Sequence, residues 1–212
     1  MRVLILSGII VLCDQVSKLL VKGIHIPALG IAVNGVPYGS SRPVIGDFLR
    51  LTYIENPGMA FGIDVGGKLF FSIFSLLASL AIVIYLYRAR REPLGFRLSL
   101  AMILGGAVGN LIDRLFYGVI FGDGPLFYGR VVDFFDLDFF KIDFWGYHLA
   151  RWPVFNVADA CVTIGVIMLV FFHRRAPSPA GSPGAMQPAA GTDASLPTGG
   201  TERNSPGTPG IS

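Results

Sequence analysis

Cysteine is scarce in this 212-residue chain, which has only Cys13 and Cys161. Two cysteines inside long apolar stretches read as small buried hydrophobes rather than a disulfide framework. Histidine is nearly as rare. His25, His148 and His173 show no HExxH spacing, and without His or Cys ligands grouped together neither a metal nor another cofactor is expected. Charge is thin as well: 15% of residues are Asp, Glu, Lys or Arg, against 52% hydrophobic, and the mean hydropathy is +0.61. That balance excludes an ordinary soluble domain. A pI near 9.0 would suit nucleic acid, but the arginines gather beside apolar runs. This is the pattern that orients a membrane protein, and no nucleic-acid partner is expected.

Four stretches, about 3–22, 69–87, 97–118 and 154–172, are long enough to cross some 30 Å of hydrocarbon as helices. The expected fold is therefore mainly α: four transmembrane helices in one domain, residues 1–175, with loops 23–68 and 119–153 on one face. The run LSGIIVLC resembles a cleaved leader ending at Cys13, but Leu12 stands where a small residue is wanted, and polar Asp14, Gln15 and Lys18 follow within the same helix. It is expected to stay in place. Within 23–68, DFLRLTYIE (47–55) is rich in β-branched and aromatic residues and closes on Asn56-Pro57-Gly58. It predicts a strand or two lying against the bilayer surface. Arg88, Arg90, Arg91 and Arg97 put the loop between the second and third spans in the cytoplasm, with both chain termini on that side. Residues 176–212, rich in Pro, Gly, Ser and Thr, predict a disordered cytoplasmic tail.

The few polar residues inside the spans carry the functional signal, because an ionisable group at membrane depth is costly. Asp14 and Lys18 are four apart on the first span, so they share a face and can pair. On the third span, Gly105 and Gly109 make a small-residue face that admits a neighbouring helix. Asn110, Asp113 and Arg114 follow on one face, and Asn156 and Asp159 repeat that spacing on the fourth span. At a helical rise of about 1.5 Å per residue, Asp14, Asn110, Asp113 and Asp159 all fall in the outer third of the membrane. Asp133, set in the apolar run Val131-Val132-Asp133-Phe134-Phe135, can join them from the outer loop. Structural polar residues scattered at random would not converge on one depth.

Carboxylates are the catalysts this cluster can offer. Ser17 and Lys18 are adjacent, about 100° apart on a helix, and cannot form a dyad with each other. Two carboxyl groups held close cannot both ionise near neutrality. One then takes a proton from water while its protonated partner polarises a carbonyl.

DQVSK (14–18), ENPGMAFG (55–62), GGAVGNLIDR (105–114), VVDFFD (131–136) and FNVADA (155–160) occur in this order. Together with the four-span layout they closely resemble the signal peptidase II family, the lipoprotein signal peptidases of the bacterial inner membrane, over residues 1–175. The resemblance implies an aspartyl endopeptidase that cleaves diacylglyceryl-modified prolipoproteins just before the lipidated cysteine. It implies that Asp133 and Asp159 are the catalytic pair, and that Asp14, Lys18, Asn56, Gly62, Asn110, Asp113, Arg114 and Asn156 shape the site or hold the substrate. A monomer in contact with membrane lipid, with a surface cradle at 47–62 over the substrate, is implied as well. Two stretches are longer than the family pattern: FYGVIFGDGPLFYGR before Asp133 and DLDFFKIDFWGYHLARWP before Asn156. Two other readings compete. A proton-coupled transporter would thread ionisable groups across the whole membrane, and a scaffold would use the polar residues only for helix packing.

Overall fold

The computed structural model describes residues 2–58, 67–138, 142–144, 147–149 and 151–173, with backbone alone at 142–144, 147–149 and 173. Gly62, the tail and the ends of several loops lie outside the described residues. The four expected spans appear as α1 (Leu4–Lys22), α2 (Gly67–Arg88), α3 (Leu94–Ile112) and α4 (Val157–His173). Helix α3 runs on through a π-helical turn, Asp113–Tyr117, and a last α-turn, Gly118–Ile120. Among the described residues, α1, α2 and α3 with its extension are long and apolar enough to cross a membrane, and α4 is a shorter apolar helix.

The helices are inside-out relative to those of a soluble protein. In α1 the buried stripe is Ser7, Ile10, Asp14, Lys18 and Val21, the three-and-four spacing of one helix face. Ile5, Ile9, Leu12, Val16 and Leu20 point outward. Helix α2 likewise buries Ser72 and Ser79 while exposing Phe70, Phe74, Leu77 and Leu80. An apolar exterior over a polar seam suits lipid as the solvent. Cys13 follows the same logic and corrects the expectation of burial: it is exposed on α1, Cys161 is half-buried, and both are free thiols.

Helix α3 is the central element and packs against α1, α2 and α4. Lipid supplies no hydrophobic force between helices, so close approach and hydrogen bonds hold them. Ser7 Oγ donates to the Ala101 carbonyl across α1 and α3 at 2.7 Å. A methyl group on Gly105 would lie 2.9 Å from Ile10 on α1, and one on Gly109 would lie 2.6 Å from Asp14 Oδ2. Gly106 makes the tighter contact: a Cβ there would strike the backbone carbonyl of Ala158 on α4. Gly106→Ala gains helix propensity of about 1 kcal/mol but forces α3 and α4 apart, a clash of backbone that no rotamer relieves. We expect a net loss on the order of 1–3 kcal/mol, read as a lower unfolding temperature in detergent.

The end of the bundle that carries the loops after α1 and α3 holds more strand than the sequence suggests. A hairpin of β1 (Ile24–Ile26) and β2 (Ile31–Val33) follows α1. A three-stranded antiparallel sheet then combines β3 (Ser41–Ile45), β4 (Leu49–Asn56) and β5 (Val131–Leu137), with β4 in the middle. A further hairpin, β6 (Ile142–Phe144) and β7 (Tyr147–Leu149), stands between β5 and α4. Lys22, at the end of α1, ties the bundle to the sheet through Glu55 and stacks its ammonium 4.4 Å from the Phe121 ring.

The loop between α3 and β5 folds back on the end of α3. Phe127 and Gly129 donate backbone N–H groups to the carbonyls of Leu115 and Arg114, at 3.2 and 3.0 Å. Those carbonyls belong to the π-turn, so the loop satisfies groups that a regular helix would pair internally. Phe127 adopts φ of +71°, held there as Ser72 Oγ of α2 donates to its carbonyl at 2.8 Å.

Candidate active site

Asp159 lies three residues after Asn156, at the N-terminus of α4, and the two form a reciprocal cap. The Asp159 N–H donates to Asn156 Oδ1 at 2.9 Å, and the Asn156 N–H donates to Asp159 Oδ2 at 3.3 Å. This is the capping-box arrangement with an aspartate in the third helical position. It leaves the other carboxylate oxygen, Oδ1, accepting from Asn110 Nδ2 of α3 at 2.7 Å. Helix α4 thus begins where the sequence places its Asn-x-x-Asp, and the cap fixes the Asp159 rotamer.

Asp133 comes from β5. Val132 and Phe134 enter a core with Val21, Tyr53 and Tyr117, and strand alternation turns Asp133 to the opposite face. On one edge β5 pairs with β4, Asp133 standing opposite Ile54. On the other, Phe135 bridges to Phe155, one residue before Asn156. That bridge draws the strand to the start of α4. Asn156 Nδ2 completes the join, donating to Asp133 Oδ1 at 2.6 Å and to the Val132 carbonyl at 3.3 Å. One asparagine therefore touches both aspartates. Asp133 is 3% exposed. Burial, first, and the negative charge of Asp159, second, push its carboxyl up to about 7, while hydrogen bonds from Asn156 and Asn56 pull the other way.

Beneath this pair lies a buried charge network. Asp14, Lys18 and Asp113 are each 0% exposed. Lys18 Nζ bridges Asp14 Oδ2 and Asp113 Oδ2, both at 2.8 Å, and donates to Asn110 Oδ1 at 2.9 Å. Its three N–H donors are all used. The pair expected within α1 thus reaches across to α3. Because an ammonium can only donate, Lys18 fixes the oxygen of the Asn110 amide toward itself and turns the Nδ2 group to Asp159. Asp14 Oδ1 accepts the Ala158 N–H at 2.9 Å, and Asp113 Oδ2 accepts the Val132 N–H at 3.2 Å. The network therefore grips both α4 and β5 one residue before each candidate catalytic aspartate.

Asp14, Lys18, Asn110, Asp113, Asn156, Asp133 and Asp159 form one connected set. Asn56 caps the turn after β4, accepting the Gly58 N–H at 2.9 Å, and bonds Asp133. Arg114 Nη1 donates to the Asn110 carbonyl at 3.3 Å, and its charge acts on Asp113, Asp159 and Asp133. Gly62 lies outside the described residues. Thr163 turns away to bond the Asp159 carbonyl on an exposed face. Gln15 and Tyr117 were missed. Gln15 Nε2 reaches Asp113 Oδ1 at 2.8 Å, and Tyr117 donates to Gln15 Oε1 at 3.1 Å. The signal for Gln15 was its presence beside Asp14 inside an apolar span. Among the described residues no group of His, Cys, Asp and Glu is arranged to hold a metal ion.

Comparison with known proteins shows the family. Residues 6–174 match the family model of signal peptidase (SPase) II. The lipoprotein signal peptidase of Porphyromonas gingivalis is 35% identical, over 79% of this chain and 80% of that one. The lipoprotein signal peptidase of Chlorobaculum tepidum is 38% identical, over 77% of this chain and 88% of that one. Among solved structures, a bacterial membrane enzyme determined by the in meso method at 2.3 Å resolution superposes with a TM-score of 0.59 at 29% identity, covering 82% of this chain and 88% of its own.

Proposed function

The chain belongs to the signal peptidase II family, and from that premise we propose that Asp133 and Asp159 are its catalytic pair. As an aspartic peptidase of that family it removes the signal peptide from diacylglyceryl-modified prolipoproteins, cleaving just before the lipidated cysteine. The observation that carries the assignment is the single asparagine, Asn156, bonded to both carboxyl groups in a seam otherwise given over to supporting them.

Asp159 accepts an N–H on each oxygen, from Asn110 Nδ2 and from the Asn156 backbone. Asp133, pushed up to about 7, carries the shared proton. The ionised carboxylate takes a proton from the attacking water, and the carboxyl proton polarises the scissile carbonyl. Collapse of the tetrahedral intermediate returns a proton to the leaving amide nitrogen. Asn56 and Arg114 border the pair and would hold the substrate backbone, as Gly62 would. Asn110, Asp14, Lys18 and Asp113 keep the two carboxyl carriers in place.

The loop with Arg88, Arg90, Arg91 and Arg97 lies at the end of the bundle opposite the site, which supports cytoplasmic termini and a site near the outer face of the inner membrane. Lys22 argues little against this, since Glu55 and Asp123 neutralise it. A monomer suffices, because the carboxylates and their supports all come from one chain. The transporter reading is disfavoured: the core at the other end is Val3, Leu86, Phe96, Leu100 and Leu104, with no relay among the described residues.

The test is cleavage of a diacylglyceryl prolipoprotein by the reconstituted enzyme across pH. The reaction needs the singly protonated pair, so kcat should fall as pH rises through about 7, where Asp133 gives up its proton, and fall again in acid when both members are protonated. A rate flat from pH 6 to 9 would sink the shared-proton mechanism.

A further inference from the structure

In the buried network below the catalytic pair, two carboxyl groups converge on one ammonium. Asp14 and Asp113 share one ammonium, Lys18, whose three donors are committed to Asp14 Oδ2, Asp113 Oδ2 and Asn110 Oδ1. Asp113 Oδ1 receives nothing from Lys18. It receives Gln15 Nε2, at 2.8 Å, while the same amide lies 3.0 Å from the Gly109 carbonyl and 3.2 Å from Asp14 Oδ2. The amide's remaining atom, Oε1, accepts the Tyr117 hydroxyl at 3.1 Å. Tyr117 is 3% exposed and belongs to the π-turn that begins at Asp113. An oxygen facing two carboxylates would be repelled, so this orientation of the amide is the one the surroundings allow.

We propose that Gln15 is a positioning residue for the peptidase reaction: with Tyr117 behind it, it holds Asp113 as a full acceptor, so that Asp113 grips the Val132 N–H and sets Asp133. The chain of contacts is continuous. Tyr117 orients Gln15, Gln15 satisfies Asp113 Oδ1, and Asp113 Oδ2 accepts the Val132 N–H at 3.2 Å. Asn156 holds the carbonyl of the same residue at 3.3 Å, so the strand just before Asp133 is pinned at both its polar groups. Without Gln15, one oxygen of a fully buried carboxylate has no donor. Asp113 must then turn toward another donor, and the turn gives up the Val132 N–H. A displacement on the order of 1 Å at a reacting group costs about 100-fold in rate. Substrate contacts are untouched, so the loss belongs to kcat and not to KM.

This rests on Asp133 being catalytic, which Asp133→Asn tests on its own in the same assay. The experiment compares wild type, Gln15→Met, Tyr117→Phe, Asp113→Asn and the pairwise doubles, reconstituted in lipid at equal folded amounts, on a diacylglyceryl prolipoprotein. Met keeps the length and apolar bulk of Gln and removes only its amide. We expect Gln15→Met to lower kcat about 10–100-fold with KM within twofold, and Tyr117→Phe to lower it about 2–10-fold. Tyr117→Phe should cost nothing further in the Gln15→Met background, and Gln15→Met nothing further in the Asp113→Asn background, because residues in one chain of contacts are not additive. Unchanged kcat in Gln15→Met overturns the proposal. So do losses that multiply in the doubles, or a loss that appears in KM alone, while Asp133→Asn remains inactive.

Discussion

Asp133→Asn and Asp159→Asn should each lower cleavage of a diacylglyceryl prolipoprotein by about 10³-fold or more, with KM little changed, while the protein stays folded. An amide in either position keeps the shape of the side chain, and at 159 it can still accept one of the two N–H groups that Asp159 takes. Asn at 133 can still accept the Asn156 Nδ2 that Asp133 Oδ1 takes at 2.6 Å, but it can neither hold nor release the shared proton. Cleavage surviving in either variant would remove the two-aspartate mechanism.

The same variant predicts a stability change of unusual sign. Asp133 is raised from 3.8 to about 7 in the folded protein. A carboxyl raised on folding contributes its full stability below its unfolded value and loses it as pH rises through the folded value. The wild type should therefore become less stable between about pH 4 and pH 7 on this account, and Asp133→Asn should not follow it. At pH 8 the inactive variant is expected to unfold in detergent at a temperature equal to or up to a few degrees above that of the wild type. A scaffold residue would show the reverse, with lower stability on substitution and no separate effect on turnover. Catalytic groups kept at an energetic disadvantage by their surroundings commonly behave this way.

Much of this site was legible because a membrane makes polar residues conspicuous. Asp14, Lys18, Asn110, Asp113 and Asp159 stood out as the few groups a helix in lipid should not carry, and helical rise put them at one depth. Hydropathy does not say which way a residue faces, and Cys13, expected inside, looks outward. Strand β5 was harder. VVDFFDL is apolar on both sides of its aspartates, a pattern that periodicity cannot assign. It becomes a strand by pairing with β4 and with Phe155, contacts distant in sequence. Gly106 escaped notice because the small-residue spacing selects Gly105 and Gly109, whereas the backbone of α4 crosses at Gly106. Gln15, about 100° around the helix from Asp14, belongs to the site only because its longer side chain reaches back to Asp113. The partner of Asp113 was likewise a matter of packing: Arg114 adjoins it in sequence, but Lys18 of α1 is what it meets.

Lys18→Met should be the most damaging single change outside the catalytic pair. The lysine is fully buried and bridges Asp14 and Asp113 at 2.8 Å each. Removing it leaves two fully buried carboxylates without the ammonium they share, and breaking a buried ion pair from one side costs about 3–5 kcal/mol. Activity is expected to vanish as well, because Asn110 loses the donor that turns its Nδ2 toward Asp159. Arginine is no substitute, since a planar guanidinium cannot serve three acceptors arranged around one nitrogen. The two effects separate in a compensated variant. Lys18→Met with Asp14→Asn and Asp113→Asn removes all three charges together, and replacing a whole buried ion cluster is often near neutral for stability. It should recover much of the lost unfolding temperature in detergent while remaining at least about 100-fold impaired in cleavage, because an amide at 113 grips the Val132 N–H less strongly than a carboxylate. If stability and cleavage returned together, the network would be mere packing. If neither returned, the charges themselves would be required for folding, and the division between a supporting layer and a catalytic pair would fail.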